Sequence, residues 1–278
     1  MKKFTRFMLI AALCLALAGA AMTFIGVRKC IRFVERYKPA EAVERHFDID
    51  PGAFDALTLT AGTAKVVFEP AAQPFVHAEG FAESDVTITQ QNGTVTVDCR
   101  DLGVGDSMLN IGILRIDWFG KMHVDTLKKK VITIGIPEGT ELDNLTVDVT
   151  TGDITCPVPL MAQTLSLHSV TGDVTLDACR ITQSGSVKLV TGDIALNGGT
   201  WNDLTLKTTT GDVLLTPDDA ADNYCAELRT TTGRITTENA ALEALGKKHF
   251  VLNPDMSSLK PLSVRVTTGD IRLVFPDA

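Results

Sequence analysis

The sequence carries no Cys-x-x-Cys pair, no Gly-x-Ser-x-Gly element, no phosphate-binding loop and no dinucleotide fingerprint. Its six cysteines, at 14, 30, 99, 156, 179 and 225, follow no regular spacing, so neither a structural zinc site nor a redox dithiol is expected. A disulfide framework is unsupported, although a single bridge stays open. Cys156 falls on a core-facing position, where a free thiol behaves as a small hydrophobe. The five histidines (46, 77, 123, 168 and 249) lack metal-ligand spacing. The serines have no neighbouring His and acid in sequence, which leaves only a spatial triad open. Positive charge is also short. The net charge is -8, and the basic residues gather near the N-terminus and at Lys128–Lys130, with no Lys/Arg-rich face emerging elsewhere. A nucleic-acid partner needs a basic face and is excluded on that reading. These absences together point to a non-enzyme without cofactor or metal.

What the sequence does have is a phrase that returns. Thr-Gly-Asp-(Ile/Val) stands at Thr151–Ile154, Thr171–Val174, Thr191–Ile194, Thr210–Val213 and Thr268–Ile271, with a variant at Thr232–Ile235. The glycines are Gly152, Gly172, Gly192, Gly211, Gly233 and Gly269, in steps of 20, 20, 19, 22 and 36 residues. A recurring step near 20 marks a repeat architecture. Apolar residues sit two apart on both sides of each glycine, as in Leu165/Leu167 before Gly172 and Val174/Leu176 after it. That is strand periodicity, with Thr, Ser, Asp and Lys on the other face. Each unit is therefore strand, turn, strand, and is too small to bury its own apolar row. Stacking such units buries the rows against each other. The expected fold is all-β, a parallel β-helix-like β-solenoid of ~20-residue coils, right-handed by the general crossover rule.

The chain divides into a membrane anchor at 1–28, a polar helical stalk at 29–45 and a solenoid domain at 46–278. Phe7 to Val27 holds no charge over 21 residues, enough to span the ~30 Å hydrocarbon core of a bilayer. A cleaved signal peptide competes, with Ala18-Gly19-Ala20 as its small-residue site. An uncleaved anchor is preferred because the apolar run continues through Met22, Phe24, Ile25 and Val27. Ala20 stands where a lipobox would need Cys. Basic charge flanks both sides, so orientation rests on the usual cytoplasmic placement of a short charged N-terminus, which leaves the large domain outside.

Leu57/Leu59 and Val66/Phe68 around Gly62 read as a first degenerate coil. Val86/Ile88 and Val95/Val97 around Gly93 are read as a second degenerate entry coil, although Asn92-Gly93 between alternating strands is also a strong hairpin signal. Two insertions, at about 101–130 and 238–261, interrupt the frame. In the first, Trp118 and Phe119 are the one candidate for an exposed aromatic contact with a partner, against the preferred reading that they cap the stack. The second opens with a stretch suited to a short helix ended at Gly246. Val264–Phe275 then supplies the expected final rung.

The runs VTTGDI, VTGDV and VTGDI, led in by IPEGTELDNLTV, resemble a bacterial putative-adhesin family of unknown function. The resemblance runs from about His46 to the C-terminus and is strongest from Val131 to Ile235. It implies a single N-terminal membrane helix ahead of a TGD-repeat domain. No catalytic or binding residue is established for the family, so none is carried over. Arg234, in place of the repeat Asp, and the two insertions depart from the pattern.

In a stack, Asp153, Asp173, Asp193 and Asp212 stand as a ladder on one edge, with neighbouring strands ~4.8 Å apart, and Asp270 belongs to a further repeat turn of the same kind. Three readings compete for them. The preferred one is structural: each glycine permits a positive φ and the Asp or Thr side chain bonds the turn backbone. A cation-binding ladder and a glycan-active carboxylate pair are the others. Arg234 is expected beside Asp212, neutralising one end of the row. The functional expectation is a membrane-held binding protein displayed at the cell envelope, with the lipid bilayer, a cell-wall polymer or an envelope protein as partner. Its alternatives are a cytoplasmic scaffold polymerising end to end and a polysaccharide-active enzyme.

Overall fold

The computed structural model describes residues 42–99, 107–111, 114–117, 122–124, 129–237, 247–254, 256 and 258–276. The chain divides into two units, residues 1–40 with 124–126 and residues 41–123 with 127–278, and the fold described is that of the second. The apolar segment 7–27, most of the stalk, Trp118, Phe119 and the helix expected before Gly246 lie outside the described residues. Among the described residues no helix is long and apolar enough to cross a membrane. Nineteen of the described strands form one sheet, and the described helical turns are 3₁₀ segments at Pro51–Ala53, Glu83–Asp85 and Ala221–Asn223. The fold is all-β.

Each regular coil contributes one strand before its turn and one after, and equivalent residues of successive coils pair in parallel. Before the turn, Leu57, Leu145, Leu165, Gly185, Leu204, Leu262 and Ala226 form one column. After it, Val66, Ile154, Val174, Ile194, Val213, Ile271 and Ile235 form another. Both columns are buried and belong to a single core. This arrangement is β-solenoid-like, and it follows from alternation: each inward Val, Ile or Leu contributes ~1.5–3 kcal/mol only when a neighbouring coil covers it.

The spatial order of the coils differs from their order in sequence. Lys260–Thr268 pairs with Leu204–Thr210 on one side and with Tyr224–Thr232 on the other. Ile271–Leu273 likewise lies between Val213–Thr216 and Ile235–Thr237. The C-terminal rung is therefore the penultimate coil, inserted ahead of the 224–237 coil, and not the last. Its apolar alternation fits both neighbours, and the long connection after Thr237 lets it reach that slot.

The opening coil also corrects the sequence frame. Its turn is centred on Ala64, because Thr63 pairs with Thr151 and Val66 with Ile154. Gly62 stands two residues ahead of that centre, so Leu57, Leu59 and Ala61 match the regular inward positions. Around Gly93 the expected entry coil gives way to a hairpin: Thr87–Gln91 and Thr94–Cys99 are antiparallel, with Asn92 and Gly93 at φ 51° and 78°, as a two-residue primed turn requires. Thr94–Cys99 then pairs in parallel with Ala56–Thr63 as a further half-coil. The first strand runs Ala42–Asp48, four residues earlier than the stalk boundary allowed, and is antiparallel to Phe75–Ala82.

Antiparallel strands close the stack at each end. Thr87–Gln91 and Ala42–Asp48 lie at one end. At the other, His249–Leu252 from the second insertion is antiparallel to Tyr224–Thr232. At a corner of the coils Trp201, Tyr224 and Phe275 pack as tilted pairs, with ring centroids 6.4 and 5.8 Å apart. The Trp201 Nε1–H donates to the Cys179 carbonyl at 3.0 Å, satisfying the one polar atom that burying this indole would orphan.

Candidate functional site

The repeated turn was the sequence's leading candidate, and its geometry is the same in every regular coil. Gly152, Gly172, Gly192, Gly211, Gly233 and Gly269 all have φ between 141° and 146°. A Cβ on any of them would lie 1.9–2.1 Å from the carbonyl oxygen of the turn residue above. Only a hydrogen fits there, and it points at that oxygen as a weak Cα–H···O contact. The Gly N–H donates to the Thr carbonyl of the coil below, as in Gly172 to Thr191 at 3.0 Å.

The aspartates complete the turn by bonding between coils. Asp153 Oδ1 accepts the backbone N–H of Asp173, Asp173 that of Asp193, and Asp193 that of Asp212, at 3.1, 2.8 and 2.7 Å. Asp212 accepts from Asp270 at 2.7 Å, and Asp270 from Arg234 at 2.8 Å. Each carboxylate thus meets a donor from the neighbouring coil, which offsets the repulsion along the row. Arg234 stands beside Asp270 and not beside Asp212, because the C-terminal rung separates them. Among the described residues no three His, Cys, Asp or Glu side chains come together as a cation site.

Inward hydroxyls serve the same turns. Ser169, Thr208 and Thr230 are buried three residues before their glycines. They donate to the carbonyls of Gly152, Gly192 and Gly269 at 3.4, 3.2 and 2.8 Å. Sequence reasoning passed over them, although a hydroxyl recurring at an otherwise apolar position was a readable signal of a buried acceptor.

Outside, the strands before the turns present columns of one residue per coil. Threonines 63, 151, 171, 191, 210, 268 and 232 are in register immediately before the turns. Three residues further back the column reads Asp148, His168, Lys188, Lys207, Arg265, Arg229 and His249 in spatial order. This is the Lys/Arg-rich face that the sequence did not display. One basic residue per repeat looks sparse along the chain, and stacking places them side by side.

The family model of Toastrack DUF4097 matches residues 54–278. No curated protein matches the sequence. A solved structure of a putative cell adhesion protein from Clostridium sporogenes shares 11% identity, with a TM-score of 0.51 over 85% of this chain and 100% of its own. A putative adhesin from Bacteroides fragilis shares 13%, with a TM-score of 0.43 over 84% and 97%. A putative lipid binding protein from Parabacteroides distasonis shares 10%, with a TM-score of 0.29 over 85% and 97%. The first of these shows a common fold.

Proposed function

This chain belongs to the Toastrack DUF4097 family, and from that premise we propose a non-enzymatic binding protein, held in the lipid bilayer by residues 7–27. Its β-solenoid is displayed on the extracytoplasmic side, for adhesion or envelope-stress-related binding to a cell-wall polymer or an envelope protein. One observation carries this reading. The turn carboxylates are engaged by neighbouring coils, which leaves the outward columns as the chemistry presented to solvent. Columns of repeated identity suit a partner that itself repeats. A glycan-active pair needs two carboxylates in different environments, whereas these aspartates share one environment. The description of the Clostridium sporogenes protein as a putative cell adhesion protein accords with the reading.

End-to-end polymerisation in the cytoplasm is the competing reading, and the antiparallel strands at both ends oppose it. A parallel stack extends by adding a parallel coil, and Thr87–Gln91 and His249–Leu252 occupy the edges where such a coil would join. Protease protection of a C-terminal tag tests the placement. Digestion in intact cells is the expected result; protection until lysis overturns the extracytoplasmic assignment.

A further inference from the structure

We propose that the outward face of the strands preceding the turns binds a linear phosphate-bearing polymer laid along the stacking direction, with Lys188, Lys207 and Arg265 as its central contacts. The assignment deepens the envelope-binding reading and rests on it for the source of the polymer.

The column is one residue wide and continuous. His168 pairs with Lys188, Lys188 with Lys207, Lys207 with Arg265, Arg265 with Arg229, and Arg229 with His249. At the ~4.8 Å separation of neighbouring strands, these six positions extend over roughly 24 Å. In a chain of net charge -8 such a run concentrates positive potential on a surface that is otherwise acidic.

Its two ends are occupied. Asp148 Oδ1 lies 3.0 Å from His168 Nδ1. Glu227 accepts from Arg229 Nε at 2.8 Å and lies 3.4 Å from His249. The Arg229 hydrogen bond holds the Glu227 carboxyl below the usual carboxylate range. The middle is open: Lys188 and Lys207 are exposed, and Arg265 reaches Glu227 only at 4.0 Å with its side chain 63% exposed. An incoming anion meets these three cations without displacing a close partner.

Hydroxyls flank the cations. Ser186, Thr205 and Ser263 stand in register two residues before Lys188, Lys207 and Arg265. A tetrahedral phosphate can accept from a cation and from a hydroxyl beside it at once, whereas a planar carboxylate offers two oxygens in one plane. A linear polymer matches a linear array. A bilayer matches cations spread in two dimensions with side chains that insert, and the exposed large apolar residues described on this face are valines. A nucleic-acid strand is held by exposed aromatic platforms, and among the described residues no Phe, Tyr or Trp is exposed.

Binding of labelled inorganic polyphosphate to the full-length protein in detergent tests the assignment. The wild type should bind in a salt-dependent manner. Lys188→Gln with Lys207→Gln should weaken binding at least ~10-fold and lower the slope of log K against log salt by about 1.4, near 0.7 for each cation removed. Arg180→Gln, an exposed charge outside the column, should change neither. Absence of binding, or binding that the double variant leaves intact, overturns the proposal. Tighter binding to anionic vesicles or to a single-stranded oligonucleotide than to polyphosphate overturns it as well. None of these results bears on membrane topology, so the envelope reading stands or falls separately.

Discussion

Asp212 accepts the backbone N–H of Asp270 at 2.7 Å, although 58 residues separate them in the chain. The 224–237 coil therefore completes its parallel pairing only after the C-terminal rung has slid in above it. Ending the chain at Leu259 should strip Tyr224–Thr232 of that partner, since Lys260–Thr268 is the strand it pairs with in parallel. Hydrogen exchange on the truncated protein should show lost protection across 224–237 and retained protection across Leu160–Leu196, because a stacked array loses stability locally. Uniform protection in the truncated chain would mean that the last coil is held by something else.

The aspartate ladder makes a prediction that separates hydrogen bonding from charge. Asp193 Oδ1 accepts from Asp212 at 2.7 Å, and an asparagine keeps an acceptor at that atom while removing the charge. Asp193→Asn should therefore stay within about 0.5 kcal/mol of wild type, while Asp193→Ala should lose about 1–2 kcal/mol. Urea unfolding of both variants decides it. Equal losses would assign the effect to the charge and not to the bond.

Much of this architecture was legible in the sequence, because the inward alternation and the turn glycine recur in every regular coil. The five Thr-Gly-Asp copies and the Thr-Gly-Arg variant located six turns, and the structure puts all six glycines in one conformation. The order of stacking was hidden, since Val264 and Leu206 are neighbours through pairing and not through spacing. Taking the chain order as the spatial order misplaced Arg234 by one coil. In the opening coil Gly62 is a false marker, since Ala64 holds the turn there without a positive φ. The basic column was missed for a related reason: register, which no single repeat contains, is what brings Lys188, Lys207 and Arg265 together.

The same turn geometry makes glycine irreplaceable. At Gly192 an added Cβ would stand 2.0 Å from the Gly172 carbonyl oxygen, at a φ of 144°. Neither atom can yield, since the Cβ is fixed by the Gly192 backbone and the oxygen belongs to the backbone of the adjacent coil, both locked in the stack. Gly192→Ala should cost about 3 kcal/mol or more by thermal or urea unfolding. Ala64→Gly should cost no more than about 1 kcal/mol, because the alanine there is in an ordinary conformation. A well-tolerated Gly192→Ala would show that successive turns can separate without loss.

Cys156 and Cys179 are free, buried thiols, and burial pushes both up to about 12. The reactive thiolate is therefore scarce in the folded protein at ordinary pH, while Cys225 is only half-buried. Alkylation at pH 8 should modify Cys225 and spare Cys156 and Cys179 until the protein unfolds. Stability carries the same signature. From the ordinary value of 9.0 up to about 12 the unfolded chain gives up these protons while the folded chain keeps them. The stability they contribute is present in full below pH 9, and falls by ~1.4 kcal/mol per pH unit for each thiol above it. Replacing both cysteines by alanine should flatten that part of the curve of stability against pH. An unchanged slope in the double variant would place the alkaline sensitivity on other groups.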